Sequence, residues 1–284
     1  MYIVFALASA VFSALTTVLS KLGLKNINSH VATFFRTGVV LVFVWLIVLA
    51  TGVYSPITAL STKTLLFLVL SGIAGGASWL CYFRALQLGS INKVVAVDKS
   101  GIILTMLMGM IFLAESAGAL KIIALVVIAA GTYLMLEPKE EENRIVQSRW
   151  FLYAAGSAVF ASLSSIFAKI GMGTIDSNLG TALRTSIIFV FAGLMVPISG
   201  SAGTIGTIKK RELLFLGLSG VATGLAWLCY FRALRLGEAS VVAPLDKLSI
   251  VFTVLLSRLI FRERVSPKTI VGLSLLTAGT LLLL

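Results

Sequence analysis

Two aspartates lie within apolar segments of this 284-residue chain, and a lysine follows each of them directly. The two pairs are Asp98 with Lys99 and Asp246 with Lys247. An ionisable side chain at the centre of a bilayer costs at least about 2.5–3.5 kcal/mol, so it faces the protein interior, a water-filled cavity or an opposite charge. A carboxylate in such a place can bind a proton, a cationic ligand or an internal cation. These residues therefore indicate binding and ion coupling.

Two arginines lie in the apolar segments that precede these aspartates, at a comparable distance from the segment end. The spacing predicts ion pairs of Arg36 with Asp98 and of Arg184 with Asp246. The adjacent lysines are competing partners for the aspartates, although neighbouring residues on a helix point about 100° apart. Two interpretations stay open. The pairs either pin helices together, or they let a proton or a cationic substrate compete with the internal cation and so couple transport.

Aromatic residues recur at helical spacing in two other segments. Trp79 and Tyr82 are three residues apart, as are Trp227 and Tyr230, so each pair lies on one helix face. Such residues are often interfacial anchors or packing groups. They also suit a substrate wall that stacks on flat or cationic groups, and we place the two tryptophans first among the candidate substrate contacts.

All these residues belong to an internal repeat. The sequence WLCYFRAL occupies residues 79–86 and occurs again at residues 227–234, an offset of 148 residues. The same offset superimposes both Asp-Lys pairs, both arginines and the acidic pair Glu115 and Glu263 without a gap. The chain is therefore a tandem duplication, and its period is a fold-level feature.

The composition is that of a membrane protein. Hydrophobic residues make up 58% of the chain and charged residues 12%, whereas about a quarter of a soluble domain is charged. The net charge of +12 is scattered between apolar segments, which argues against nucleic-acid binding. The chain lacks a nucleotide-binding loop and has one histidine, so we expect no ATPase activity, no enzyme, no metal and no cofactor.

Apolar runs long enough to cross a bilayer predict five helices in each half of the chain. In the first half they lie near residues 2–22, 31–52, 64–87, 91–113 and 118–136, and adding 148 gives the second set. The fold class is thus an all-α membrane protein with ten transmembrane helices. The predicted organisation is a first repeat at 1–136, a polar linker at 137–149 and a second repeat at 150–284.

Because five is odd, two homologous halves joined by a short linker must enter the membrane with opposite orientations. The result is an inverted-topology repeat. Most basic residues without a repeat counterpart fall on the linker side, so the positive-inside rule predicts a cytoplasmic linker and two external termini in a plasma-membrane protein. Since one chain holds both halves, a monomer suffices.

The motif W-L-C-Y-F-R-A-L-x-L-G, then V-V-A-x-x-D-K and a glutamate after the fourth span, occurs once in each half. This pattern resembles the EamA-type branch of the drug/metabolite transporter superfamily over nearly the whole chain. The resemblance implies a ten-helix secondary transporter with a central cavity between the halves. It also favours export of a metabolite.

These observations predict alternating-access transport of a small amphipathic molecule in the lipid bilayer. Matched acidic and basic residues suit a zwitterion such as an amino acid, with Asp holding the ammonium group and Arg or Lys the carboxylate. Proton coupling through the aspartates fits this interpretation. The alternatives are a proton antiporter for drugs or quaternary amines, and a lipid-linked flippase or a scaffold without transport.

Overall fold

A computed structural model describes residues 1–24, 27–53, 60–135, 144–173, 175–262 and 265–284. Throughout these residues the regular structure is helical, without a strand. A short 3₁₀ turn, Ala202–Thr207, precedes the third long helix of the second half. The α-helices are α1 Tyr2–Gly23, α2 Ser29–Thr51, α3 Thr62–Leu88, α4 Ile91–Lys99, α5 Gly101–Phe112, α6 Ala119–Met135, α7 Arg144–Gly171, α8 Ser177–Ile198, α9 Lys210–Leu236, α10 Ala239–Lys247, α11 Ser249–Phe261 and α12 Pro267–Leu281.

The fourth apolar segment of each half is interrupted, which the sequence analysis did not predict. One residue, Ser100, separates α4 from α5, and Leu248 separates α10 from α11. At the first interruption the hydroxyl of Ser100 donates to the carbonyl of Val97 (2.6 Å), three residues earlier. Both interruptions come directly after an Asp-Lys pair, so the charged residues lie at the end of the first part of each interrupted helix.

Eight helical spans in the described part of the chain are long and apolar enough to cross a membrane, when α4 with α5 and α10 with α11 each count as one. The fifth helix of each half is shorter, with 17 residues in α6 and 15 in α12. At 1.5 Å per residue they extend about 25 and 22 Å, against about 30 Å of hydrocarbon. Eight of the ten predicted transmembrane helices therefore have the length and hydropathy of a membrane span in the described residues.

The second helix of each half begins at a polar cap, and the repeat preserves its position. The side chain of Asn28 accepts a hydrogen bond from the main-chain N–H of His30 at the start of α2. Asp176, at the equivalent position, accepts one from the N–H of Asn178 at the start of α8. Each cap satisfies a main-chain donor that has no partner within the helix. The start of the second helix in each half is therefore set by local sequence.

The two halves pack into each other. Helix α1 lies along α9, and α3 lies along α7, so the first helix of each half contacts the third helix of the other. The second helices, α2 and α8, also contact each other, as do the fifth helices, α6 and α12. Serines tie the long contacts together: Ser20 bonds to Ser219 (2.7 Å), and Ser71 donates to the carbonyl of Ser164 (2.8 Å). One half alone leaves these surfaces uncovered.

The contact between α6 and α12 depends on glycine. A Cβ atom on Gly131 would lie 2.6 Å from the carbonyl oxygen of Gly272, and one on Gly272 would lie 2.5 Å from the carbonyl oxygen of Gly131. Only glycine allows two helix backbones to come so close. Apolar side chains such as Val126 and Ile270 point outward from this pair and are exposed.

Of the sequence predictions that concern loops, residues 137–143 of the linker and Glu263 lie outside the described residues. The division into two repeats with a linker between them stays a prediction.

Candidate functional site

A cavity of about 130 Å³ lies between the two halves. A single water needs roughly 10–15 Å³, so the cavity has room for a small solute. Its wall combines hydroxyl, charged and aromatic side chains from α1, α3, α7, α8, α9 and the interrupted helices. Nine of the ten predicted site residues line it: Trp79, Tyr82, Asp98, Lys99, Arg184, Trp227, Tyr230, Asp246 and Lys247.

Each aspartate is held by a serine from the other half. The hydroxyl of Ser157 on α7 donates to Oδ1 of Asp98 (2.7 Å), and that of Ser9 on α1 donates to Oδ1 of Asp246 (2.6 Å). Both aspartates are buried, with about 8% of their surface exposed. Residue type and spacing did not single out these serines, although they are repeat counterparts at the offset of 148. Each bond joins the end of an interrupted helix to the opposite repeat.

The predicted Arg–Asp ion pairs do not form, and this part of the interpretation was wrong. Among the described residues no carboxylate lies within 4.0 Å of either guanidinium. Nη1 of Arg36 donates to the hydroxyl of Thr223 (2.5 Å), and the guanidinium carbon lies 3.7 Å from the ring centroid of Trp79. Arg36 was paired with Asp98 because both were predicted at a similar depth in the membrane. In the structure Arg36 instead contacts Thr223 on α9 and Trp79 on α3.

Arg184 is held in an equivalent but different way. Its Nε donates to the hydroxyl of Ser71 (3.1 Å) and its Nη2 to that of Ser164 (2.7 Å), while the guanidinium carbon lies 4.8 Å from the ring of Trp227. Gly75 makes room for it, because a Cβ there would be 2.7 Å from Nη2. The repeat counterpart of Gly75 is Thr223, the residue that binds the other arginine. The two halves thus use different residues at one position.

Three buried nitrogens of these arginines have no hydrogen-bond partner within the described part of the protein. They are Nε and Nη2 of Arg36 and Nη1 of Arg184. Arg36 is fully buried and lies behind the wall that Trp79 and Thr223 form, whereas Arg184 itself lines the cavity. A buried donor without a partner is costly, particularly on a charged group. Arg184 therefore brings to the cavity wall a cationic group that has one buried donor without a partner.

The two lysines lie near each other and near both aspartates. Lys99 interacts electrostatically with Lys247, Asp246 and Asp98. Neither ammonium group has a carboxylate oxygen within 4.0 Å in the described ranges. Lys99 is buried and Lys247 is half-buried. The lysines were predicted as competing partners of the aspartates. In the structure the four charges form a loose cluster rather than two closed ion pairs.

The aromatic residues meet in the middle of the protein. The rings of Trp79 and Trp227, which are repeat counterparts, lie 6.1 Å apart between centroids. The hydroxyl of Tyr82 bonds to Thr17 on α1 (3.0 Å), and that of Tyr230 donates to Ser165 on α7 (3.1 Å). The aromatic face predicted from spacing therefore contacts both the arginines and the cavity. Its role in binding stays a prediction.

A second polar cluster lies away from the cavity, where the loop after α5 meets α10. Glu115 accepts hydrogen bonds from the main-chain N–H of Ala239 (2.7 Å) and Ser240 (2.8 Å) and from Nζ of Lys169 (2.9 Å). Burial alone raises the pKa of this carboxyl, but the hydrogen bonds from Ser240, Lys169 and Ala239 outweigh it and lower the pKa. Lys169 also donates to the carbonyl of Gly237 (2.8 Å). We call this group, Glu115 with Lys169 and the start of α10, the Glu115 clamp.

The described residues contain no group of three or more His, Cys, Asp or Glu side chains that could hold a metal ion. Cys81 and Cys229 are free thiols. The binding capacity of the site therefore rests on its carboxylates, cations, hydroxyls and aromatic rings.

Apolar helices of membrane length around a polar cavity that two repeats share define a membrane transport protein. The chain belongs to the EamA-like transporter family, whose model matches residues 1–137 and 148–284. The resemblance in the sequence motifs is thereby confirmed. The family is one of transporters, and a protein with several membrane-crossing helices is a membrane protein.

A relative from Sinorhizobium sp. is named as an uncharacterized transporter in the cobO 3′ region. It is 44% identical to this chain over 134 residues, which are 95% of the relative but 47% of this chain. That protein therefore has about the length of one half. One solved crystal structure is similar over 99% of this chain and 95% of its own, with a TM-score of 0.74 and 16% identity. At this identity the similarity shows the fold alone.

Proposed function

We propose that this protein is a secondary active transporter that works by alternating access and moves a small zwitterionic metabolite such as an amino acid. Its two five-helix halves are inverted in the plasma membrane, with α6 and α12 as the fifth span of each. The linker is cytoplasmic and both termini are external. Transport runs outward, is coupled to protons, and requires one chain and no ATPase subunit.

The observation that carries this proposal is the shared cavity, in which acidic and basic side chains from both halves converge. A zwitterion needs a carboxylate near its ammonium group and a cation near its own carboxylate. Asp98 and Asp246 supply the first, and Arg184 with the lysines supplies the second. Substrate sites at the interface of inverted repeats are the usual arrangement in secondary transporters.

The aspartates are also the proposed coupling groups. Each accepts a serine hydroxyl from the opposite half, so a change in its protonation alters a contact between the halves. The short helices α4 and α10 carry these aspartates at their last turn. Movement of these half-helices relative to α7 and α1 provides a route from proton binding to exposure of the cavity on the other side of the membrane.

Transport currents of purified protein in proteoliposomes on a solid-supported membrane test this proposal. The panel contains amino acids, polyamines and quaternary amines. We expect a saturable current for an amino acid and its loss in the Asp98→Asn, Asp246→Asn double variant. Asp176→Asn is the matched control, because Asp176 pairs with Arg232 and Arg235 outside the cavity. Normal current in the folded double variant would remove the aspartates from the mechanism.

A quaternary-amine or drug antiporter is the second candidate, and the two buried aspartates that line the cavity favour it because a carboxylate among apolar helices attracts a cation. In that case the current appears with quaternary amines and responds to a pH gradient, while amino acids are inactive. Tracer exchange across the same panel covers electroneutral transport. The absence of any current and any exchange by folded protein would instead favour a lipid-linked flippase or a scaffold.

A further inference from the structure

The charges around the cavity do not balance. Two carboxylates line it, those of Asp98 and Asp246, and three cations line it, those of Lys99, Lys247 and Arg184. The guanidinium of Arg36 contacts the wall from behind, through Thr223 and Trp79. With ordinary ionisation the site therefore holds an excess of two positive charges.

The protein compensates this excess only in part. Both arginines use neutral partners, namely hydroxyl groups and the faces of tryptophan and phenylalanine rings. Among the described residues neither arginine, nor either lysine, has a carboxylate within 4.0 Å. Both aspartates already accept a serine hydroxyl. An uncompensated charge buried among apolar helices is expensive, so the site favours a ligand that brings negative charge.

We infer that the substrate is a zwitterion with a second acid group, so that its net charge is negative. This inference rests on the proposed function and narrows its substrate class. The ammonium group binds at an aspartate, one acid group binds Arg184, and the other lies between Lys99 and Lys247. The second acid group is a carboxylate or a phosphate, since both accept hydrogen bonds from guanidinium and ammonium groups.

The two arginines do not contribute equally. Arg184 lines the cavity, so it is placed to contact the ligand directly. Arg36 is completely buried, with the ring of Trp79 at 3.7 Å, and it acts on the ligand through its charge alone. The cavity volume, about 130 Å³, suits a ligand of the size of a single amino acid or its phosphate ester.

Glutamate, glutamine and lysine are suitable probes because they have similar lengths and net charges of minus one, zero and plus one. Binding to the purified full-length protein is measured by calorimetry, and O-phosphoserine is compared with serine in the same way. We expect glutamate to bind about ten- to a hundredfold more tightly than glutamine, as for a gained charge-assisted hydrogen bond. If the acid group is a phosphate, O-phosphoserine shows this preference over serine instead.

Two double variants test whether the lysines cause the preference. In Lys99→Gln, Lys247→Gln the affinity ratio of acidic to neutral probe should fall to near one, whereas in Lys99→Arg, Lys247→Arg it should persist. The inference would be overturned if the wild-type protein bound glutamate no more tightly than glutamine or lysine and also bound O-phosphoserine no more tightly than serine. The absence of binding by every probe would overturn it as well.

Transport of the same probes separates this inference from the proposed function. If an acidic probe binds preferentially but is not transported, the charge assignment stands and the transport proposal fails. If glutamine is transported and neither acidic probe is, the transport proposal stands and the inference is wrong.

Discussion

The Glu115 clamp is a defined place to test the structure, because one carboxylate joins three parts of the chain. We predict that Glu115→Gln destabilises the protein although it preserves the size of the side chain. The amide keeps one oxygen as an acceptor, but it loses the charge and places an N–H₂ group against a main-chain donor or against Lys169. The start of α10 then loses part of its cap.

The magnitude follows from burial. The side chain of Glu115 is 5% exposed and that of Lys169 is 22% exposed, so solvent screens this ion pair only weakly. Hydrogen bonds to a charged group contribute about 1.5–3 kcal/mol each. Because the variant weakens such bonds without removing all of them, we expect a loss of about 2–4 kcal/mol in the free energy of unfolding.

Glu238→Gln is the matched control, since Glu238 also pairs with a lysine, Lys121, near the start of α10. Its side chain is 44% exposed. Ion pairs that solvent screens contribute about 0–1 kcal/mol. The control substitution should therefore change stability by less than about 1 kcal/mol. The assay is equilibrium unfolding in mixed micelles, followed by tryptophan fluorescence.

The pH dependence supplies a second readout. Because the folded state lowers the pKa of Glu115, its ionised form stabilises the protein above the unfolded pKa, near the ordinary value of 4.5. That contribution is lost as the pH falls through the lower folded pKa. The stability difference between wild type and Glu115→Gln should therefore be full at pH 7 and shrink below pH 4.5. Equal stability of the two proteins at pH 7, or a difference that is constant down to acid pH, would refute the assignment.

Three further substitutions test the packing and the arginine environment by the same unfolding assay. Gly131→Ala should lower the free energy of unfolding by about 1–3 kcal/mol, because the added Cβ would lie 2.6 Å from a carbonyl oxygen of α12. Gly217→Ala, whose added Cβ would have nothing within 4 Å, should be neutral or stabilising. Equal effects of the two substitutions would contradict the close contact. Thr223→Val should cost about 2–3 kcal/mol, because it removes a hydrogen bond to the fully buried arginine of α2; no loss would mean that this bond is unimportant. Trp79→Leu should destabilise the protein more than Trp227→Leu, since Arg36 lies 3.7 Å from the first ring and Arg184 lies 4.8 Å from the second. The reverse order would contradict the cation–π assignment.

The apolar pattern predicted the helices closely because each must cover a similar thickness of hydrocarbon. The third span was predicted at 64–87 and is Thr62–Leu88. The interruptions at Ser100 and Leu248 were not predicted, since the apolar run continues through both positions. The interruptions are packed by contacts of α4 with α7 and of α10 with α1. These helices are distant in the chain, so the pattern of a single segment does not predict such contacts.

The residues of the candidate site could likewise be predicted from the sequence only in part. Spacing and repeat symmetry identified nine residues that line the cavity, because charged and aromatic groups stand out in an apolar chain. The partners of these residues were not identified correctly. Ser9, Ser157 and Thr223 are ordinary hydroxyl residues of apolar helices, and only their contacts with the charged groups distinguish them.

The sequence by itself determined that this is a helical membrane protein with an internal repeat, and it determined how far along each segment every charge lies. Helical rise converts residue number into depth, so Arg36 and Asp98 were predicted to lie at similar depths, but they were wrongly paired. Only the tertiary structure decided which side chains meet, because the rotation of a helix about its axis is set by packing against helices distant in the chain. Through that packing the aspartates bind serines of the opposite half, and the arginines lie against tryptophan rings.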